Sequence, residues 1–156
     1  MRIRSMQSDD LPSLARLVAG NHARLSAFGE SHYGDFRPAD LARETTVVFV
    51  RGEALLGFCQ YRPSPSRPTD AQVLFFVVEP AHHGRGTYIR AQLAMEAYLV
   101  GQGFSRVVCG VPPGHARFRY YLIERRGYRP FAEERGVLFL VKPLEGARSW
   151  PALIPT

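Results

Sequence analysis

Lysine is almost missing from this chain: Lys142 is the only one, although Lys and Arg together number 20. The basic balance, a net charge of +6 with a pI near 9.8, is therefore carried by arginine. The arginines are scattered: Arg62 with Arg67, Arg117 with Arg119, then Arg125, Arg126 and Arg129. No Lys/Arg run reaches the length of a basic tail, so nucleic acid ranks only as a minority reading of the charge. Cysteine is scarce too. Cys59 and Cys109 sit in strand-like apolar runs without paired spacing, which argues against a disulfide framework and for reduced, buried thiols. Nothing near Cys109 marks an activated nucleophile. Long apolar runs are absent, the longest being Val73–Val78, whereas a membrane helix needs about 20 residues. The opening MRIRSMQSDD lacks the apolar core of a secretory signal, so a cytoplasmic location and no membrane partner are expected. No Cys/His/Asp spacing suggests a metal, because adjacent His82 and His83 diverge in direction. Internal repeats are lacking as well.

What is present is a chain of 156 residues with 46% hydrophobic and 22% charged residues, as in a soluble globular protein. A single domain over 1–156 is expected, with 144–156 as a C-terminal tail. Trp150, Leu153 and Ile154 predict that this tail packs on the domain surface or on a second copy in a homodimer. Alternation over Arg2–Met6 predicts a strand. Ser8, Asp9 and Asp10 then offer caps to a helix with Leu11, Leu14, Ala15, Leu17 and Val18 on its apolar side and Pro12 in its first turn. A short helix over Pro38–Glu44 precedes a hairpin of Thr45–Val50 and Ala54–Tyr61. Arg62–Asp70, with its prolines, reads as a loop. A helix over Thr87–Val100, apolar nearly all round, is expected to be covered on more than one side. Ser105–Val111, an aromatic helix ending at Gly127, and strands over Tyr128–Ala132 and Gly136–Val141 complete the order.

The most informative stretch is Val73–Gly101, VLFFVVEPAHHGRGTYIRAQLAMEAYLVG. It reads as an apolar strand stopped by Pro80, a turn with Gly84 and Gly86, and a long helix. A helix N-terminus presents unpaired N–H groups and the positive end of the dipole, which together suit a phosphate. Glycines at the turn let the anion approach the backbone. The dinucleotide fingerprint is rejected because its third glycine would fall at Ile89, and the P-loop because no lysine precedes Thr87. A bare glycine pair more often makes a tight turn with no ligand; the whole strand–turn–helix arrangement lifts the reading above that.

That arrangement resembles the acyl-CoA-binding motif of the GNAT superfamily of N-acetyltransferases. The family's strand and Val-x-Pro are matched by Phe76-Val77-Val78-Glu79-Pro80, and its Arg/Gln-x-x-Gly-x-Gly/Ala turn by His83, Gly86 and Tyr88. Ile123-Glu124-Arg125-Arg126-Gly127-Tyr128 is similar to the family's Tyr-x-x-x-Gly-Phe ending. The resemblance implies a mixed, mostly antiparallel central sheet flanked by helices, and an acetyl-CoA donor without a metal. It places pantetheine and thioester on the main chain of Phe76, Val77 and Val78, and the pyrophosphate at His83, Gly84, Arg85, Gly86, Thr87 and Tyr88. The family's general acid, a tyrosine four residues before the glycine of Gly-Phe, falls here on Ile123. Tyr120, one turn earlier, and adjacent Tyr121 are the substitutes, although both also suit core packing with a surface hydroxyl. Glu79 is the first candidate to take the amine's proton, with His82 and His83 as alternatives. The acceptor region of the family corresponds to Phe28, His32, Tyr33 and the stretch Phe131–Arg135.

The function expected is acetyl transfer from acetyl-CoA to a primary amine of a small molecule or peptide. Two other readings stand beside it: a degenerate domain that binds acyl-CoA without efficient catalysis, and a basic protein- or nucleic-acid-interaction module on the same fold.

Overall fold

The computed structural model describes residues 1–20, 38–82 and 86–144. Its strands are β1 (Arg2–Ser5), β2 (Thr45–Arg51), β3 (Ala54–Pro63), β4 (Asp70–Val78), β5 (Arg106–Val111), β6 (Arg129–Glu134) and β7 (Val137–Pro143). Its α-helices are α1 (Leu11–Gly20), α2 (Thr87–Gly101) and the short α3 (Ala116–Tyr120). The sheet order is β1-β2-β3-β4-β5-β7-β6. Neighbours are antiparallel at β1–β2, β2–β3, β5–β7 and β6–β7, and parallel at β4–β5. No described helix is long and apolar enough to cross a membrane. The chain divides into two compact units, Met1–Tyr61 with Phe75–Met95 and Arg62–Leu74 with Glu96–Thr156.

In the first unit β2 is buried continuously from Thr46 to Val50. Its unbroken Val-Val-Phe-Val run fits a strand covered on both faces. Helix α1 buries Leu14, Leu17 and Val18, the i, i+3, i+4 stripe of an amphipathic helix, while Leu11 is exposed. A 3₁₀ turn, Ser8–Asp10, leads into it. There the buried Asp10 carboxylate accepts from the Arg4 guanidinium at 2.7 and 2.9 Å and from the Gln7 backbone N–H at 2.8 Å. The Arg4 hydrogen bonds lower the Asp10 pKa below its usual value against the opposing effect of burial. The helix expected over Pro38–Glu44 is a 3₁₀ turn, Pro38–Ala42. It is tied to the sheet by Thr46 Oγ1 donating to Leu41 O and Gln60 Nε2 donating to Asp40 O, each at 2.7 Å. Side-chain bonds to its carbonyls hold the tighter turn without an α-helical ladder.

In the second unit β4 begins at Asp70, not at Val73, and β3 runs on to Pro63, so the expected loop is shorter at both ends. The cause is long-range. Buried Asp70 receives two hydrogen bonds from Arg106 on β5, at 2.8 and 2.6 Å, with Arg67 at 3.6 Å. Those partners let a carboxylate start a buried strand. The last helix is short. After α3 the backbone becomes a π-helical turn, Tyr121–Arg125, closed by Tyr128 N–H donating to Leu122 O at 3.0 Å. Strand β6 forms the sheet edge and is exposed along its length. Pro130 and a register shift between Pro130 and Ala132 interrupt its pairing with β7.

Helix α2 contributes to both units. It buries Ala91, Gln92, Met95, Glu96 and Leu99 but leaves Ile89 and Leu93 each 43% exposed. The expectation of cover on several sides is corrected accordingly: two of the buried positions are polar, and part of the apolar surface faces outward among the described residues.

Candidate active site

The residues from Phe76 to Tyr88, expected to hold the donor, belong to the first unit. Strand β3 comes close to the end of β4 because position 57 is glycine: a Cβ there would collide with the Val77 carbonyl oxygen and stand 2.9 Å from Val78 Cα. Glu79 N–H then donates to Leu56 O at 2.8 Å, fixing the strand end. A 3₁₀ turn, Pro80–His82, follows, and His82 N–H donates to Glu79 O at 2.8 Å. Their side chains meet as well, His82 Nε2 lying 3.4 Å from Glu79 Oε2, both partly exposed. His83, Gly84 and Arg85 lie outside the described residues. The chain re-enters at Gly86 with φ +72°, a left-handed conformation that favours glycine, and α2 starts at buried Thr87.

Tyr88 stands where the family pattern has a small residue. Its ring makes an edge contact with Phe76 at 5.0 Å between centroids, and Phe76 in turn meets Phe49 at 5.4 Å. The structure thus brings Phe76 and Tyr88 together through their side chains. The parallel β4–β5 ladder covers only Asp70–Gln72 with Arg106–Val108, and Val73–Val78 run on beyond its end.

The two tyrosines belong to the second unit and differ sharply. Tyr120 is 61% exposed. The Tyr121 hydroxyl is buried and has no hydrogen-bond partner among the described residues. Burial raises its pKa above the ordinary phenol value, opposed by Arg126 and assisted by Glu96. A π-helical turn, Tyr121–Arg125, follows Tyr120. Such turns accommodate one extra residue and are frequent at functional sites.

Sequence reading missed Glu96. This buried carboxylate accepts from Tyr128 Oη at 2.9 Å, Lys142 Nζ at 2.8 Å and Arg126 Nη2 at 3.0 Å. A single acid in an apolar helix was the available signal. Arg126 and Lys142 are 20% and 13% exposed, so two cations and a phenol share one desolvated acceptor. Cys109 is a free thiol whose pKa burial, and then Glu96, push up to about 12, which leaves it protonated and inert as a nucleophile near neutrality. On the closing hairpin Phe131 is 57% exposed, 6.3 Å from Phe139 between centroids. Phe28, His32 and Tyr33 lie outside the described residues. Among those described, no group of three or more His, Cys, Asp or Glu is placed to hold a metal ion.

The parallel ladder ends at Gln72, and a glycine-led helix follows β4 in a seven-stranded mixed sheet. The sequence matches the Acetyltransferase (GNAT) family over residues 9–128, and the chain belongs to that family. Among solved structures it is similar to the ribosomal-protein-alanine N-acetyltransferase of Brucella melitensis, with 16% identity, TM-score 0.70 and coverage of 92% of this chain and 100% of that one. The GNAT domain of S. lividans PAT aligns with 20% identity and TM-score 0.72, over 91% of this chain and 89% of its own. PaiA N-acetyltransferase from Thermoplasma acidophilum in complex with coenzyme A gives 14%, 0.71, 91% and 98%. At these identities the likeness is one of fold. No curated protein matches the sequence.

Proposed function

We propose that this protein is an N-acetyltransferase that takes its acyl group from acetyl-CoA and passes it to a primary amine of a small molecule or peptide. The observation that carries this reading is the arrangement of β4 and α2: the strand runs past its parallel ladder to Val78, and the chain enters a 15-residue helix through left-handed Gly86. These residues fit the group. Gly86 has no Cβ to fill the cradle, and the first turn of α2 offers backbone donors together with the positive helix end. In this reading the main chain from His83 to Tyr88 holds the pyrophosphate, and that of Phe76, Val77 and Val78 holds pantetheine and thioester. When bound, acetyl-CoA supplies an acyl group already activated as a thioester.

The protein's own groups then move protons. Tyr120 and Tyr121 are the two candidates to protonate the departing sulfur: the Tyr120 side chain is exposed, and the buried Tyr121 hydroxyl has no partner among the described residues. Glu79, beside His82, accepts the proton that the attacking amine must lose. Acceptor recognition is assigned to Phe28, His32 and Tyr33. Structural neighbours named for ribosomal-protein alanine make peptide N-termini the first acceptors to try.

The test has two stages. Thermal shift with CoA, acetyl-CoA and longer acyl-CoAs measures binding. Thiol release in the presence of peptides, amino acids, polyamines and aminoglycosides then measures transfer. Stabilisation by acetyl-CoA and amine-dependent thiol release are expected. Binding without release on any amine would favour the degenerate binding domain instead, and release only with hydroxyl acceptors would refute the acceptor class.

A further inference from the structure

We propose that a cavity in the second unit is a binding site for a small organic phosphate. The cavity has a volume of about 430 Å³ and is lined by Arg106, Gly127, Arg129, Val141, Lys142 and Pro143. That size falls within the range of about 300–1,000 Å³ usual for small-molecule sites. The sheet register explains its make-up. Arg129 on β6 pairs with Val141, and Arg106 on β5 pairs with Pro143. Val141 and Pro143 stand two apart on β7, so both arginines come to one face of the sheet. None of the lining residues is among those assigned to the donor, and the proposal stands apart from that reading.

Positive charge is in excess there. Three of the lining residues are cationic and, among the described residues, none is acidic. The two carboxylates that hold those cations are each shared. Asp70 meets Arg106 at 2.8 and 2.6 Å and also Arg67 at 3.6 Å. Glu96 meets Lys142 at 2.8 Å and also Arg126 at 3.0 Å. Each cluster therefore keeps one positive charge. Exposed Arg129, with no ion pair among the described residues, adds a third. A concavity lined by one sign of charge concentrates counter-ions of the other. Arg106 and Lys142, fixed by their carboxylates, supply the standing field. Arg129 supplies an uncommitted planar fork of donors, the arrangement that matches phosphate oxygens. Half-buried Val141 and Pro143 add an apolar wall, which suits a carbon skeleton and favours a phosphate ester over the bare ion.

The test is an amide NMR titration of the full chain, at constant ionic strength, with glycerol 3-phosphate, inorganic phosphate and glycerol. Glycerol 3-phosphate is expected to shift the backbone amides of Gly127, Arg129, Val141 and Lys142 at millimolar concentration. Inorganic phosphate should do so more weakly, and glycerol not at all. Arg129→Ala should weaken the phosphate ester by about tenfold or more, the size of a charge-assisted hydrogen bond, and Arg129→Lys should recover part of that loss. Because Arg129 is exposed and unpaired among the described residues, Arg129→Ala should unfold at the wild-type temperature and keep the wild-type response to acetyl-CoA. No shift at these amides in wild type would overturn the proposal. So would shifts confined to Gly86–Tyr88, which would send the phosphate to the glycine turn, or unchanged affinity in Arg129→Ala. Inorganic phosphate binding as tightly as the ester would overturn the choice of an organic ligand.

Discussion

Replacing Tyr121 by Phe should make the protein slower and no less stable, a pairing that few active-site substitutions in a protein interior produce. The hydroxyl is buried without a partner among the described residues, and its pKa is raised chiefly by that burial. A buried polar group left unpaired costs about 1–3 kcal/mol, and Phe removes the group while keeping the ring. For a chain of this size each kcal/mol moves Tm by roughly 2–4 °C, so Tm should hold or rise by a few degrees. If the same hydroxyl donates its proton to the leaving sulfur, kcat should fall on the order of 100- to 10,000-fold. Affinity for CoA should stay where it was. Differential scanning calorimetry, a free-thiol assay and calorimetric titration of CoA read the three quantities on one preparation. A variant that loses several degrees and retains its turnover would refute the reasoning, because the hydroxyl would then be a structural group with a partner.

Gly86→Asp should abolish measurable CoA binding in a titration, since it adds both a side chain at φ +72° and a negative charge where phosphate is assigned, while circular dichroism stays native. Glu96→Ala strands the Arg126 and Lys142 cations and the Tyr128 hydroxyl, so urea unfolding should show a loss of about 3–5 kcal/mol; a loss under 1 kcal/mol would mean the network is solvated. Asp10 has a folded pKa below its unfolded value of 3.8, so its contribution is present above that pH and lost as pH falls through the folded value. Stability of Asp10→Asn should therefore converge with wild type as pH falls through the acid range, and a difference that does not shrink with falling pH would contradict the linkage.

The elements that a local pattern determines were legible in the sequence. Leu14, Leu17 and Val18 announced α1, and the Val73–Gly101 stretch announced both the strand and the helix on either side of the glycine turn. What escaped depended on partners distant in the chain. Asp70 among prolines reads as a loop until Arg106, 36 residues away, neutralises it. Glu96 reads as a surface acid until Tyr128 and Lys142 arrive from 32 and 46 residues away. The π-helical turn was hidden for another reason: Tyr-Leu-Ile-Glu-Arg is ordinary helical sequence, and its extra residue is visible only in the backbone. Burial, not spacing, separates Tyr121 from Tyr120.

The single lysine has a meaning that packing alone does not give it. Enzymes that activate acyl groups beside amines risk modifying themselves, and a surface studded with lysines is the usual target. Here positive charge at the surface is carried by arginines, whose guanidinium groups remain protonated and do not act as nucleophiles near neutral pH. The one side-chain amine, Lys142, is 13% exposed and committed to the Glu96 carboxylate. Positive charge and acylatable nitrogen, normally supplied together, are separated in this chain, so it can keep a basic surface while offering its own chemistry almost no lysine acceptor.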